Sequence, residues 1–253
     1  MSERQIYDVV LWGFLASGVV IFFSLLFITA PYGRHLRKNW GPVLPARFGW
    51  VLMEIPSPVL MAAFFVFGDR HTNGPAIALL SLWLLHYGNR TFVFPFRLSP
   101  GSKPMPLAIA AFGFVFNLFN GYLNGRYLFS FGPPLPEDWL LGPQFIGGAA
   151  VFFTGFAINQ HSDAVLRRLR KPGETGYRIP HGGLYRWVSS PNYLGELIEW
   201  LGFALASASP AAWVFFAWTA CNLVPRAIAH HRWYRKTFPD YPPERRAILP
   251  GLL

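Results

Sequence analysis

The fold is decided by the segment GLYRWVSSPNYLGELIEWLGFALAS, residues 183–207. Its second half is apolar enough to enter a lipid bilayer. That half nevertheless follows the polar sequence Ser-Pro-Asn-Tyr at 190–193 and carries two glutamates. Pro191 suits the first turn of a helix, with Ser189 or Ser190 as the N-cap. The segment therefore indicates a membrane helix whose polar beginning needs a structural or a functional reason.

The composition is typical of a multi-pass membrane protein. Of the 253 residues, 53% are hydrophobic, 18% aromatic and only 13% charged, whereas about 25% of the residues in soluble domains are charged. The formal charge of +10 favours membrane lipid headgroups or a phosphate-bearing ligand as partners. In so apolar a chain, the charge is a weak argument for nucleic acid, and we expect no nucleic-acid partner.

Long apolar segments predict the architecture, because a helix needs about 20 mainly apolar residues to cross the hydrocarbon core. Seven segments qualify, at residues 8–30, 48–67, 75–96, 105–124, 143–161, 194–208 and 210–227. The sixth is short, and we expect it to begin inside protein rather than lipid. The pattern predicts an all-α integral membrane protein, a single domain over residues 1–253 with a bundle of seven transmembrane helices.

The basic residues indicate an orientation for this bundle. Nearly all Lys and Arg residues follow the first, third, fifth and seventh segments, whereas the opposite side holds only Arg4, Arg70 and Arg126. By the positive-inside rule, the C-terminus is then cytoplasmic and the N-terminus lies outside. The membrane would be the inner membrane of a bacterium or the endoplasmic reticulum of a eukaryote.

A first polar stripe follows the fifth segment. Asn159, Asp163, Arg167 and Arg170 are spaced at i, i+4, i+8 and i+11, which places them on one face of a continuous helix. An amide, an acid and two arginines could address the base, sugar and phosphates of a nucleotide. Contact with lipid headgroups is the alternative explanation.

A second stripe lies at the start of the sixth segment, where Asn192, Glu196 and Glu199 are spaced at i, i+4 and i+7. One explanation is structural, because acids in the first turns complement the helix dipole and can pair with nearby arginines. The other explanation is functional: the stripe forms a polar wall of a cofactor pocket at the membrane surface.

A third stripe, Arg226, His230 and Tyr234, follows the seventh segment at i, i+4 and i+8. It covers about 12 Å of helix, comparable to a pyrophosphate with its sugars, although a basic-aromatic membrane anchor has the same pattern. His230 and His231 are adjacent and point in different directions. They make a poor zinc pair, and we expect no metal site.

Two polar residues lie inside predicted spans. Glu54 stands in WVLMEIPSPVLM, where Pro56 and Pro58 should kink the helix, and Tyr87 stands in LLHYGNRTFVFPF. An acid inside the bilayer is costly and suggests a functional site. Either Glu54 forms a structural ion pair with Arg90, or it forms an acid–tyrosine pair in which Tyr87 donates a hydrogen bond to a substrate carbonyl.

Four long motifs together resemble the steroid 5α-reductase family, and microbial-type members most. They are RFGWVLMEIPSP, HYGNRTFVFP, NQHSDAVLRRLRKPGETGYRIPHGGLYRWVSSPNYLGELIEWLGFALAS and RAIAHHRWYRKTFPDYPPERRAILP. The match begins at about Trp50 and is densest in the C-terminal half. The resemblance implies a seven-helix oxidoreductase of steroid metabolism. Such an enzyme reduces the 4,5 double bond of 3-oxo-4-ene steroids, with NADPH as hydride donor, and we expect a monomer.

The resemblance also implies roles by position. Glu54 and Tyr87, in substrate-polarising helices at about 48–96, match the pair that binds and polarises the steroid C3 carbonyl. The NADPH-binding half covers about residues 143–253. The cofactor-lining positions are Trp50, Asn159, Asp163, Arg170, Tyr177, Asn192, Glu196, Arg226, His230 and Tyr234. One departure is Met53, where family members usually have glutamine, and it bears on substrate specificity.

Three other functions compete with this one. A trans-2-enoyl-CoA reductase has a similar C-terminal pattern and also reduces a conjugated alkene, but it needs a long tunnel and a CoA-phosphate site. An isoprenylcysteine-type methyltransferase would retain S-adenosylmethionine rather than NADPH. A non-enzymatic sterol-binding or transport protein would not need Glu54 and Tyr87. No GxGxxG motif follows a strand, so we expect no Rossmann domain.

Overall fold

The computed structural model describes residues 1–37, 39–98, 102–169, 174 and 176–253. Its α-helices are α1 (Glu3–Phe27), α2 (Ala46–Glu54), α3 (Pro56–Phe67), α4 (Gly74–Gly88), α5 (Leu107–Arg126), α6 (Pro143–Arg168), α7 (Pro191–Ser207) and α8 (Pro210–Thr237). In these residues the only sheet pairs two-residue strands, β1 (Val43–Leu44) with β2 (Met105–Pro106), antiparallel. The prediction of an all-α protein is confirmed.

Four of the helical rods are long and apolar enough to cross a membrane. Within the described ranges they are α1, the α2–α3 rod at Ala46–Phe67, α5 with its extension to Phe131, and α8. The predicted segments at 75–96, 143–161 and 194–208 correspond to α4, α6 and α7, which are shorter or more polar. The fold is therefore that of an all-α membrane protein, and the number of seven spans stays a prediction.

The two prolines interrupt the second rod beside Glu54. Helix α2 ends at Glu54 and α3 begins at Pro56, while Ile55 between them keeps right-handed helical angles. Proline cannot donate a backbone hydrogen bond to the preceding turn, so the interruption predicted at Pro56 and Pro58 occurs. The acid consequently lies at the break rather than within a regular helix.

Helices α6 and α7 pack with their backbones in direct contact. A Cβ on Gly155 of α6 would overlap backbone atoms of Glu199, and a Cβ on Gly195 of α7 would overlap backbone atoms of Asn159. Small residues allow such close approach between membrane helices. The contact brings the polar face of α6 against the polar start of α7.

Aromatic side chains join this pair to α4 and α8. Trp83 of α4 lies with its ring centroid 5.3 Å from that of Trp200 of α7, and Trp200 lies 4.4 Å from Phe215 of α8. Trp83 and Trp200 are both fully buried. Large rings packed in this way contribute much of the energy that holds a core together, and here they orient the residues beside them, His86 and Tyr87.

The start of α7 is held by tertiary contacts rather than by a local cap. Ser190 occupies the predicted N-cap position but makes no side-chain capping bond. Ser189 Oγ instead lies 2.7 Å from His231 Nδ1 and 2.6 Å from the Tyr241 hydroxyl, and its backbone N–H donates to Arg246 O at 2.8 Å. The C-terminal segment thus fixes the polar beginning of α7.

Candidate active site

Two cavities adjoin each other at one end of the bundle. The first is polar and has a volume of about 280 Å³. The second is mainly apolar and has a volume of about 370 Å³, within the range of about 300–1,000 Å³ that is usual for small-molecule sites. The residues that border both cavities include Tyr32, Trp50, Arg90 and Arg226.

The apolar cavity contains both predicted catalytic residues. Helices α1, α2, α4, α5, α7 and α8 all contribute side chains to its wall, and Glu54 and Tyr87 both face it. Tyr87 is 3% exposed. The remaining surface is largely hydrophobic, with Phe112, Phe116 and Trp218 among its rings. Such a wall suits a rigid apolar ligand that carries few polar groups.

Asparagines of α5 hold Glu54 and Tyr87 in place. Asn117 Nδ2 donates to Glu54 Oε2 at 3.1 Å and to the backbone O of Met53 at 2.8 Å. Asn120 Nδ2 donates to the Tyr87 hydroxyl at 3.0 Å. Among the described residues no hydrogen bond joins Glu54 directly to Tyr87, so α5 links the two. Sequence reasoning missed both asparagines, although their i, i+3 spacing in an apolar helix was a usable signal.

Arg90 lies between three carboxylates from different parts of the sequence: Glu54, Asp163 of the first stripe and Glu196 of the second. Its Nε is 3.7 Å from Glu54 Oε1, its Nη1 is 4.0 Å from Asp163 Oδ2, and its Nη2 is 4.0 Å from Glu196 Oε2. The guanidinium also stacks 4.5 Å from the Trp50 ring. The Glu54–Arg90 ion pair exists, but it is part of a network that connects the two cavities.

The polar cavity brings together residues from all three stripes. Asp163, Asn192 and His230 face it, along with Tyr177, and Asn192 Nδ2 donates to Asp163 Oδ1 at 3.2 Å. Glu196 lines the neighbouring apolar cavity instead. The first and second stripes therefore meet across the α6–α7 contact, and residues of both stripes form one wall of the polar cavity.

Other predicted residues lie away from the cavity surface. Asn159 is buried behind the wall, where its Nδ2 donates to the backbone O of Asn192 at 3.0 Å. Tyr234 is buried beneath Arg34, whose guanidinium lies 4.6 Å from its ring. Glu199 faces away from both cavities and pairs with His86. Arg170 lies outside the described residues.

The positive charge of the polar cavity is largely unpaired. Arg34, Arg167 and Arg226 border it, and none has a carboxylate partner among the residues that the structure describes. Arg226 donates only to the Tyr193 hydroxyl, at 2.7 Å, and Arg34 Nη1 is buried without a partner in that part of the chain. Buried cations without counter-charges are unfavourable, so the cavity suits an anion such as a phosphate.

His35 borders the polar cavity and adds no charge to it at neutral pH. Burial, together with the charges of Arg34 and Arg37, lowers the pKa of His35 to about 4. Its ring stacks on that of His230 with centroids 5.4 Å apart. The arginines are therefore the groups that would hold an anion, and the histidine rings offer flat, neutral surface. Sequence reasoning had counted Arg34 only among the basic residues that follow the first segment, and it had not singled out His35.

Comparison with known proteins identifies the family of this chain. A family profile described as 3-oxo-5-alpha-steroid 4-dehydrogenase matches residues 103–253. The 3-oxo-5-alpha-steroid 4-dehydrogenase 1 of Bos taurus is 44% identical over 100% of this chain and 99% of its own, and that of Homo sapiens is 40% identical over 100% and 97%. The steroid 5-alpha-reductase DET2 of Gossypium hirsutum is 38% identical over 98% of both chains.

These relatives span the whole chain, including the helices that carry Glu54 and Tyr87 as well as the C-terminal half. The chain belongs to the 3-oxo-5-alpha-steroid 4-dehydrogenase family of oxidoreductases, the steroid 5-alpha-reductases.

Proposed function

We propose that this protein is an NADPH-dependent steroid 5α-reductase, which reduces the 4,5 double bond of 3-oxo-4-ene steroids. The observation that carries the proposal is the pair of adjoining cavities. One is apolar and contains a buried tyrosine hydroxyl. The other is bordered by three arginines without a carboxylate partner among the described residues, Arg34, Arg167 and Arg226, and the two cavities meet at Trp50 and Arg90. A hydrophobic ketone and an anionic dinucleotide are the two kinds of ligand that this arrangement fits.

The polar cavity suits the cofactor. Arg34, Arg167 and Arg226 are placed to bind phosphate oxygens, since arginine makes strong charge-assisted hydrogen bonds to phosphate. Asp163 and Asn192 offer hydrogen-bonding groups to the remaining polar atoms. When bound, NADPH supplies the hydride that is transferred to the substrate.

Tyr87 is the group that would polarise the steroid carbonyl. Its hydroxyl oxygen accepts a hydrogen bond from Asn120, so its own proton remains available for donation into the cavity. A donor in this position bonds more strongly to an oxygen that gains negative charge than to a ground-state ketone. Glu54 supports the carbonyl site from α2, where Asn117 and Arg90 hold its carboxylate.

The apolar cavity also suggests how a steroid arrives. Its wall includes Ile21 and Leu25 of α1 and Ile109 and Phe112 of α5, and both helices are candidate membrane spans. A sterol dissolved in the bilayer can therefore approach between these helices without entering water. Lateral entry from lipid is part of the proposal.

Incubation of the purified protein with NADPH and a 3-oxo-4-ene steroid tests the proposal. We expect a product that has gained two hydrogen atoms, detected by mass spectrometry. With NADPH deuterated at the transferable position, the label should appear at C5. The matched controls are the same steroid without its C3 oxygen, which should not react, and trans-2-enoyl-CoA. Reduction of enoyl-CoA with no reaction of the steroid would contradict the proposal.

A further inference from the structure

His86 and Glu199 form a buried pair that the mechanism above does not use. His86 on α4 precedes Tyr87 and lines the apolar cavity. Its Nδ1 lies 2.8 Å from Glu199 Oε1 on α7, and the Glu199 side chain is completely buried. The imidazole is packed 4.5 Å from the Trp200 ring and 5.0 Å from the Tyr87 ring, between centroids. Its position and orientation are thus fixed.

The charges in this pair favour a protonated imidazole. Glu199 Oε2 has no hydrogen-bond partner among the described residues, so His86 is the group that can balance the Glu199 carboxylate. A buried carboxylate is strongly unfavourable unless a cation accompanies it. Glu54, Glu196 and Arg90 are the other charged groups near His86, and Arg90 lies 3.7 Å from Glu54 and 4.0 Å from Glu196. The pair can therefore store one proton beside the substrate cavity.

The proposed reaction needs such a proton. Hydride addition at C5 moves the electrons of the double bond toward the carbonyl and leaves an enolate, which must be protonated at C4. Tyr87 is engaged at the carbonyl oxygen. Glu54 and Glu196 also line the cavity, but both carboxyl groups are engaged by the Arg90 guanidinium, within 4.0 Å. Among the described polar groups of this wall, His86 is the one that is paired with a fully buried carboxylate and can therefore carry an additional proton.

We infer that His86, paired with Glu199, is the general acid that protonates C4. The inference rests on the proposed function. The proton leaves His86 Nε2, where no described residue makes a hydrogen bond, and forms the C4–H bond as the enolate returns to a ketone. NADPH is the reductant and becomes NADP⁺, and His86 regains a proton from water after the product leaves. C4 is bonded to C3, so a donor next to Tyr87 is in the right part of the cavity.

His86→Asn separates this role from a structural one. The asparagine amide can replace Nδ1 in the bond to Glu199, but it has no group at the position of Nε2. We expect a lower melting temperature, because the buried Glu199 carboxylate loses its cation, together with NADPH affinity near that of wild type and a kcat lowered by about 10²–10⁴ per folded molecule, the usual contribution of general acid catalysis. The solvent isotope effect on kcat should rise. In D₂O, wild type should place deuterium on one face of C4, and His86→Asn should give both faces.

A second measurement needs neither steroid nor turnover. In ¹⁵N-histidine spectra of the cofactor-free protein at pH 7, His86 should have both ring nitrogens protonated. Its signals can be assigned by their loss in His86→Asn or by their shift in Glu199→Gln. Glu199→Gln removes the carboxylate charge and keeps the shape, so its His86 should be neutral and its kcat should also fall. A neutral His86 in wild type overturns the inference, even if His86→Asn does not fold.

The remaining outcomes are distinct. Normal turnover with one-face deuteration in folded His86→Asn overturns this inference and leaves the proposed function in place. Lower melting temperatures in both variants, with unchanged turnover per folded molecule, also overturn it, because the His86–Glu199 pair then contributes only to the stability of the fold. A wild-type protein that reduces no steroid enone contradicts the proposed function itself, and the inference falls with it.

Discussion

At the scale of single residues, the Tyr87 hydroxyl can act both as a hydrogen-bond acceptor and as a donor. It accepts a hydrogen bond from Asn120, and it belongs to a side chain that lines the apolar cavity, where its own proton can be donated to a ligand. The hydroxyl is therefore oriented before any ligand arrives, and such preorganisation is what makes a donor effective in stabilising a transition state. Glu54 is oriented in the same way by Asn117.

The first prediction concerns this hydroxyl. Tyr87→Phe should lower kcat by about 10²–10³, the usual effect of removing one preorganised donor, while NADPH affinity stays near that of wild type. Tyr7→Phe is the matched control, because the Tyr7 hydroxyl is also buried but donates to Leu123 O at 3.0 Å outside either cavity. It should lower stability by about 1 kcal/mol and leave turnover intact. Near-normal turnover in folded Tyr87→Phe would refute the polarising role.

The second prediction concerns Arg226, a half-buried arginine that faces both cavities and lacks a carboxylate partner among the described residues. Arg226→Gln should weaken NADPH binding by about 10- to 100-fold, because a charge-assisted hydrogen bond contributes about 1.5–3 kcal/mol. The measurement is fluorescence or calorimetric titration of the purified protein. Arg232→Gln, at an exposed position on the same helix, should bind NADPH normally. Equal affinities in the two variants would remove Arg226 from the cofactor site.

At the scale of elements, the site depends on how closely α6 and α7 approach each other. The hydrogen bonds from Asn192 to Asp163 and from Asn159 to Asn192 both cross this contact. The glycines contribute no side chain to either cavity, yet they determine whether the two polar faces can touch. A change in helix spacing should therefore alter cofactor binding without touching a cofactor-binding residue.

The third prediction tests this spacing with Gly155→Ala. Its new methyl group would overlap backbone atoms of Glu199 and Gly195, so the helices must separate, with a loss of about 1–3 kcal/mol from overpacking. We expect a lower melting temperature and weaker NADPH binding. Gly147→Ala, on the same helix with open space around the position, should be neutral or slightly stabilising, since alanine favours helix. Equal melting temperatures for both variants would show that the contact can adapt.

At the scale of the whole molecule, the basic residues converge on one end of the bundle. Arg34 follows α1, Arg167 ends α6 and Arg226 lies in the last turns of α8, and all three border one cavity. The helix ends and loops that the positive-inside rule assigns to the cytoplasm are thus the ones that border the polar cavity, the proposed cofactor site. Cytoplasmic NADPH would reach the cavity from that side.

The fourth prediction is that the C-terminus is cytoplasmic. A fluorescent protein fused after Leu253 should be fluorescent, and alkaline phosphatase fused at the same place should be inactive, because the latter folds only outside the cytoplasm. The same phosphatase inserted near Arg70, on the opposite side of the predicted layout, should be active. An active phosphatase after Leu253 would overturn both the orientation and the seven-span layout.

Local rules explain what could be predicted from the sequence alone. Composition and long apolar segments indicated an all-α membrane protein, because only helices and closed barrels satisfy the backbone within lipid. Helical periodicity placed Asp163 and Asn192 on polar faces, and both line the polar cavity. Proline chemistry placed a break after Glu54. Each of these inferences depends on residues within a few turns of one another.

Tertiary packing decided which of those faces meet. It placed Arg90 among three acids from different helices. Glu199, which the helical spacing had grouped with Asn192, pairs with His86 instead. Asn159 and Tyr234 lie behind the cavity wall. Periodicity gives the relative directions of side chains on one helix, but the rotation and spacing of helices depend on contacts between distant segments. Here those contacts are the glycines of α6 and α7 and the ring cluster around Trp83 and Trp200, whose partners no local pattern identifies.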